Sequence, residues 1–345
     1  MRTSHKKILP VFIPFAGCRN RCVYCNQHKI TGTGGSGIIE NAARQIEEYL
    51  TYSDTWDELA FYGGSFTCLP EKDRTALYSL AHSKGFRTLR FSTSPDCVEK
   101  DVLDEADSWG VRTVELGVQS LSDKVLRLNK RPYDSEECIQ AVRAVQERFV
   151  TGVQMMTGMY GETAEDVIRT ADTLAAMKPA YARIYPTVVL ADTELADLYS
   201  SGGYTPPAPA KMLLRTAYAY ASLTSAGASV IRTGLQYTDS LENSIKGGFY
   251  HPAFGDIVKT LIILIYLHNY GEIRANGTEI QKLGGYKALA RKHFPDKIIT
   301  DEGSSADFSE ICMKAKENIF ENNGRNPERN AASYAEELIR QTHNG

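Results

Sequence analysis

The sequence predicts a parallel α/β fold, a partial TIM-like (β/α)6 barrel with a C-terminal extension. From residue 8 to about residue 240, short apolar runs alternate with longer stretches of helical period. Alternation of this kind argues for a parallel sheet or barrel with crossover helices. Beyond about residue 240 the pattern changes to a segment rich in Gly, Pro and aromatics, Lys246–Phe254, and then to a more polar remainder. The expected division is therefore a barrel over 1–240 and a mainly helical extension over 241–345 that closes it.

Ile8–Phe15 reads as the first strand, followed by Glu58–Gly63, Thr88–Ser92, Val111–Val118, Gly152–Met156 and Ala182–Val189. Between them Ala42–Tyr52, Ser135–Arg148 and Ala164–Ala176 read as helices. Thr163 is placed as the N-cap of the last, with Glu165 and Asp166 in its first turn. Ile257–Tyr270 reads as a buried helix. Gly32–Gly37 reads as a loop, because it lacks the lysine of a phosphate-binding loop and does not directly follow a strand.

The 345 residues suffice for one large domain plus an appendage. A formal net charge of −3 excludes a global field for nucleic acid or membranes while leaving local basic surfaces open. The longest apolar stretch, Leu261–Leu267, is too short to span a bilayer. The polar Met1–Lys7 and the short run after it lack a cleavage site, so a cytoplasmic location is expected. In a reducing compartment, clustered cysteines suggest metal or redox chemistry. Three of the seven cysteines lie within eight residues, whereas Cys68, Cys97, Cys138 and Cys312 are scattered. Isolated cysteines are expected to be small buried hydrophobes.

Cys18, Cys22 and Cys25 form a Cys-x3-Cys-x2-Cys segment directly after the first strand. Ligands in parallel α/β folds bind at the carboxyl ends of strands. A cubane iron–sulfur cluster normally takes four thiolates, so three on one loop leave one iron open to another ligand. Arg19 and Arg21 are placed to offset the cluster's charge. Two plainer readings are a zinc knuckle completed by His28 or a remote cysteine, and three unrelated thiols.

With Tyr24 as the aromatic before the third cysteine, the segment resembles the signature of the radical S-adenosylmethionine (SAM) superfamily. That resemblance implies a [4Fe-4S] cluster whose open iron binds the amino and carboxylate groups of SAM. Reductive cleavage of SAM would then give methionine and a 5′-deoxyadenosyl radical that abstracts hydrogen from a substrate. It also implies an electron donor of the flavodoxin or ferredoxin type.

Phe61-Tyr62-Gly63-Gly64-Ser65-Phe66-Thr67 ends the second strand. Paired glycines let a ligand approach the backbone closely, and the matching family segment contacts the amino group of SAM; the plainer reading is a tight turn. Glu115 and Gln119, on one side of the fourth strand by alternation, are candidates for SAM contacts or for an internal hydrogen-bond network. Gln154, Arg183 and Tyr185, at the ends of the fifth and sixth strands, are candidates for the SAM or substrate pocket. Tyr24, Gly63, Gly64 and Ser65 complete the cofactor-binding set.

The segments GGSF, ELGVQS and RIYPTVVLADTEL resemble the branch containing the catalytic subunit of Elongator and its shorter bacterial relatives, over roughly residues 8 to 260. This implies an RNA substrate, tRNA first. Three departures stand out. No acetyltransferase sequence is recognisable. Ser94-Pro95-Asp96 stands where relatives read Arg-Pro-Asp. Met156-Thr157-Gly158-Met159-Tyr160-Gly161 stands where they read Met-Pro-Gly-Leu-Pro-Gly. Arg232, Gln236 and His251, in segments closer to the short bacterial relatives, are candidate substrate contacts. Two other functions stay open. One is a porphyrin-directed or haem-chaperone-like radical SAM protein, although oxygen-independent coproporphyrinogen oxidases carry an extra cysteine where this chain has Gln27. The other is a non-enzymatic iron–sulfur carrier.

Overall fold

The computed structural model describes residues 6–28, 37–53, 55–320 and 331–343. The Gly32–Gly37 loop lies outside the described residues except for its last glycine. Seven strands follow one another in chain order across a single sheet, a parallel partial barrel. They are β1 (Ile8–Phe12), β2 (Glu58–Tyr62), β3 (Leu89–Thr93), β4 (Val111–Gln119), β5 (Val150–Thr157), β6 (Tyr181–Pro186) and β7 (Ser229–Thr233). The principal crossover helices are α1 (Ile38–Leu50), α2 (Glu71–Ser83), α3 (Lys100–Ser108), α4 (Asp123–Leu128), α5 (Ser135–Gln146), α6 (Ala164–Ala176) and α7 (Pro209–Ser225), with α8 (Phe254–Asn269) beyond the last strand.

The sequence placed six strands, and the sheet has a seventh. Ser229–Thr233 is exposed or half-buried throughout, so it lacks the apolar run that marks the others. The segment expected as one strand over Ala182–Val189 is two, Tyr181–Pro186 and Val189–Leu190, parted at Thr187-Val188. Proline cannot donate a ladder hydrogen bond, which ends the first piece. The α6 bounds match the expectation, and Thr163 and Asp166 form a reciprocal capping box. No helix among the described residues is long and apolar enough to cross a membrane.

The chain divides into two compact units. The first comprises Met1–Gln154, Leu190–Asp197 and Thr238–Ile245. Its core is a column of aromatic rings, Phe61 on Phe66 at 5.0 Å and Phe66 on Phe91 at 4.8 Å, continued by Tyr78 on Trp109 at 5.5 Å. Such pairs add to the burial of large apolar surfaces. Arg74 donates from Nε to Glu105 at 2.9 Å and from Nη1 to the Leu69 carbonyl at 2.6 Å, bracing the turn that follows β2.

The second unit comprises Met155–Val189, Leu198–Tyr237 and Lys246–Gly345. The long helices α7 and α8 each bury ten residues, so they are apolar nearly all round and sit inside this unit. Asp172 on α6 gathers Tyr218 and Ser222 of α7, both at 2.9 Å, and Lys316 at 2.7 Å.

Candidate functional site

The three clustered cysteines are free and half-buried, or nearly so, on a loop at the carboxyl end of β1. Left-handed turns at Phe15 (φ 58°) and Gly17 (φ 73°) fold that loop back. The amides of Cys18 and Cys25 bond to Phe15 and Cys22 carbonyls at 3.1 and 3.0 Å. The loop locks into the Gly63-Gly64-Ser65 segment through two backbone bonds, Phe15 N to Gly63 O at 3.0 Å and Ser65 N to Ala16 O at 2.8 Å. A Cβ on Gly17 would sit 2.1 Å from the Ser65 carbonyl oxygen, and one on Gly64 would sit 2.3 Å from that of Ala16. Two glycines on separate loops are therefore required for the same close approach.

Further clasps come from later in the chain. Val23 N reaches Asn129 O at 3.4 Å, Leu195 N reaches Val23 O at 2.8 Å, and Asn26 Nδ2 donates to the Ala191 carbonyl at 3.0 Å. Gln27 accepts from Phe15 N. The position where a fourth cysteine would stand thus braces the loop. A cavity of about 520 Å³ opens beside Cys22 and Cys25, lined also by Arg131, Asp192, Thr193 and Glu194.

The donors suit an iron–sulfur cluster: three soft sulfur ligands on one loop. Burial, then repulsion from neighbouring cysteines, pushes the Cys18 thiol up to about 11 and the Cys25 thiol up to about 12. Bound metal cations supply the charge that turns such thiols into thiolates. Arg21, expected with Arg19 to offset the cluster, lines the cavity beside Cys22 and Cys25. Arg19 pairs with Asp96 at 3.7 Å, and Arg21 lies 4.3 Å above the Phe15 ring. The cation against a cysteine is Arg131, whose Nη1 donates to Cys22 Sγ at 3.0 Å. It stands 109 residues from Cys22 in sequence, and nothing in its local Lys-Arg-Pro-Tyr context marks it.

The other cofactor candidates in this unit fall into two groups. Ser65 is buried, and its hydroxyl meets Cys68 Sγ at 3.0 Å, Thr93 Oγ1 at 3.2 Å and the Ser94 amide at 2.9 Å. Glu115 is buried and accepts a hydrogen bond from Gln154, the internal network that was the alternative for Glu115. By contrast, Gln119 at the end of β4 is buried with φ 67°, and its Oε1 has no partner. Strain and an orphaned acceptor in one side chain mark a position shaped for a ligand. Tyr24 also carries an unpartnered buried hydroxyl; burial, then the Cys22 thiol, holds it protonated well above the usual phenol range.

Cys68 and Cys97 correct the reading of isolated cysteines as plain hydrophobes, for they form a disulfide with Cα atoms 5.2 Å apart. β2 and β3 are parallel neighbours, and each turns into a short 3-10 segment at the same end, Phe66–Cys68 and Pro95–Cys97. Cys138 and Cys312 are buried and free, as expected.

The second unit holds the remaining candidates. Arg183 and Tyr185 alternate onto the half-buried face of β6, and Arg183 is in register with Arg232 on β7. Registered residues of parallel neighbours share a face. Gln236 is exposed. His251 accepts from Ala253 N at 3.0 Å through Nδ1 and stands edge-on to Tyr286 at 5.5 Å, so its ring is held by its own loop and by Tyr286. The unusual turn after β5 is pinned by Glu162, which accepts from Gly158 N and lies 3.8 Å from Arg215. Burial outweighs those donors and pushes the Glu162 carboxyl up to about 8.

Residues 12–174 match the Radical SAM superfamily and residues 179–262 match the Radical_SAM C-terminal domain. An uncharacterised protein of Methanocaldococcus jannaschii is 30% identical over 154 residues, 42% of this chain and 47% of that one. The tRNA uridine(34) acetyltransferase of Methanocaldococcus infernus is 31% identical over 123 residues, 34% of this chain and 23% of that one. The chain thus spans less than half the length of these relatives. Among solved structures, the archaeal Elp3 of Methanocaldococcus infernus shares the fold at TM-score 0.55 and 18% identity, covering 73% of this chain and 61% of that one. Coproporphyrinogen III oxidase of Escherichia coli does so at TM-score 0.50 and 22% identity, covering 65% and 54%.

The chain belongs to the radical SAM superfamily, whose members are enzymes that use a [4Fe-4S] cluster and S-adenosylmethionine. Within that superfamily the relatives include Elongator-like proteins, and the chain is consistent with that branch.

Proposed function

We propose that Cys18, Cys22 and Cys25 hold three irons of the cluster, and that the radical generated beside them acts on a base of tRNA. The carrying observation is the nesting of Gly17 against Ser65 and of Gly64 against Ala16, which fixes the three-cysteine loop against the Gly63-Gly64-Ser65 backbone more closely than any side chain would allow. When bound, the cluster supplies the electron that splits SAM into methionine and a 5′-deoxyadenosyl radical. The protein's part is to hold and shield. Gln119 and Tyr24 offer free polar atoms to SAM, the Gly63-Gly64 backbone lies alongside, and Ser65, Glu115 and Gln154 brace those strand ends. Arg183 and Tyr185 are assigned to the cofactor or substrate, and Arg232, Gln236 and His251 to the substrate.

The tRNA reading is supported by relatives named for tRNA modification. These are the uridine(34) acetyltransferase and, at 29% identity over 167 residues, the tRNA-2-methylthio-N(6)-dimethylallyladenosine synthase of Clostridium perfringens. A porphyrin substrate has only a fold-level likeness behind it, and fold alone does not assign chemistry. A flavodoxin- or ferredoxin-type protein is the proposed electron donor.

Anaerobic reconstitution is expected to give about four irons per chain and SAM-dependent formation of 5′-deoxyadenosine, both lost in Cys22→Ala. Deuterated tRNA should pass deuterium into 5′-deoxyadenosine. SAM cleavage without that transfer would sink the tRNA reading, and a loaded cluster without SAM cleavage would make the chain a carrier.

A further inference from the structure

Arg131 is the side chain whose placement neither the family match nor the sequence motifs account for. It follows the short helix α4, is half-buried, and lines the cavity beside Cys22 and Cys25. Its guanidinium is aimed from three sides. Nη1 donates to Cys22 Sγ at 3.0 Å and Nη2 donates to the Gly117 carbonyl at 2.7 Å. The Tyr133 hydroxyl accepts from the same guanidinium and itself donates to the Gly117 carbonyl at 2.7 Å. The Tyr133 ring lies 4.8 Å below the cation. Among the described residues no carboxylate pairs with Arg131. The one position that can acquire negative charge within hydrogen-bond reach, apart from the phenol, is the Cys22 sulfur.

We propose that Arg131 is a positioning residue that sets the reduction potential of the cluster through a charge-assisted hydrogen bond to the Cys22 thiolate. The inference rests on the reading that the three cysteines hold a cluster. A cation beside a ligand sulfur stabilises the reduced, more negative cluster over the oxidised one. Hydrogen bonds to cluster sulfurs and local net charge are the protein's means of moving such potentials. An arginine keeps its proton under all working conditions, and its fork allows one amino group to anchor on Gly117 while the other faces the sulfur. Gly117 takes part because its carbonyl is the anchor, and Tyr133 because it fixes the plane of the fork.

The test uses the full chain, anaerobically reconstituted without SAM, as wild type, Arg131→Met, Arg131→Lys, Tyr133→Phe and Cys22→Ala. Iron and sulfide per chain are measured, and midpoint potentials are read by EPR-monitored titration. Wild type loads and Cys22→Ala does not, if the cluster reading holds. Arg131→Met is then expected to load and to become harder to reduce by at least tenfold, about 59 mV for one electron. Arg131→Lys, which keeps the charge, and Tyr133→Phe, which frees the aim, should shift the same way by less. A fully loaded Arg131→Met with the wild-type potential overturns the inference and leaves the cluster reading standing. An unmoved potential with weakened SAM binding overturns it too, assigning Arg131 to the cosubstrate. If Arg131→Met does not load, a loaded Tyr133→Phe at the wild-type potential overturns it equally. Failure of the wild type to load overturns both.

Discussion

The cysteine loop and the turn after β5 are both strand-to-helix connections at carboxyl ends of the sheet, yet they are held by different means. The cysteine loop is held by backbone against backbone. Two glycines nest against facing carbonyls, and two amides cross between the loops. The turn after β5 is held chiefly by side chains: Glu162 takes the Gly158 amide and faces Arg215, and Tyr204 donates to the Gly158 carbonyl at 2.7 Å. Backbone nesting fixes position and tolerates no change of residue. Side-chain pinning fixes position too, but through a carboxyl that can ionise.

The sharpest way to break this comparison is to add a methyl group. Gly17→Ala must place its Cβ 2.1 Å from the Ser65 oxygen at φ +73°. Strain and overlap together are expected to cost about 4 kcal/mol and to abolish iron uptake. Gly202→Ala, at φ +78° with nothing within 4 Å, pays only for its backbone conformation, about 1 kcal/mol. Denaturant melts of the two variants give the difference directly. Equal losses would mean that the nesting contributes nothing beyond the left-handed turn.

A second difference is covalent. Cys68 and Cys97 join the connections after β2 and β3 across a sequence separation of 29. Closing a loop of that length stabilises by about 3.6 kcal/mol in the chain-entropy view. Reductant should lower the stability of the wild type by about that amount and leave Cys97→Ala unmoved. No effect of reductant on the wild type would mean that the two thiols stand unlinked under the conditions of the melt.

Much of the first region was legible in the sequence. The cysteine spacing, the aromatic at Tyr24 and the Gly63-Gly64 pair are local patterns, and local patterns survive without a structure. What was not legible is long-range. Arg131 reaches Cys22 across 109 residues, and the disulfide depends on β2 and β3 turning the same way at the same end. Glu115 illustrates an ambiguity that periodicity cannot resolve, because alternation points it inward whether it meets a ligand or Gln154. β7 was missed because its exposure erases the apolar run that a strand reading needs.

The side-chain pin makes the second region sensitive to pH where the backbone lock is not. Glu162 is held protonated, with its carboxyl raised to about 8 from an ordinary 4.5. A raised carboxyl contributes stability that is full below about pH 4.5 and is lost as pH rises through about 8. Between pH 5 and pH 8 the wild type should therefore lose on the order of 3 to 4 kcal/mol relative to Glu162→Gln, which keeps an acceptor for the Gly158 amide but cannot ionise. Parallel stability profiles for the two proteins over that range would show that Arg215 already neutralises the carboxylate.

The smallest expected effect falls on the face proposed to meet the substrate. Arg232 is half-exposed and stands in register with Arg183, so its removal leaves no buried partner unsatisfied. Arg232→Ala should change stability by less than about 0.5 kcal/mol. If the registered arginines meet a phosphate of a single-stranded tRNA loop, the salt dependence of tRNA binding should flatten by about 0.7 in log–log slope. Cluster loading and SAM cleavage without tRNA should be untouched. An Arg232→Ala protein with an unchanged slope would remove this face from the substrate path. Gly17→Ala in the same assay would still lose its cluster, keeping initiation and recognition separable by mutation.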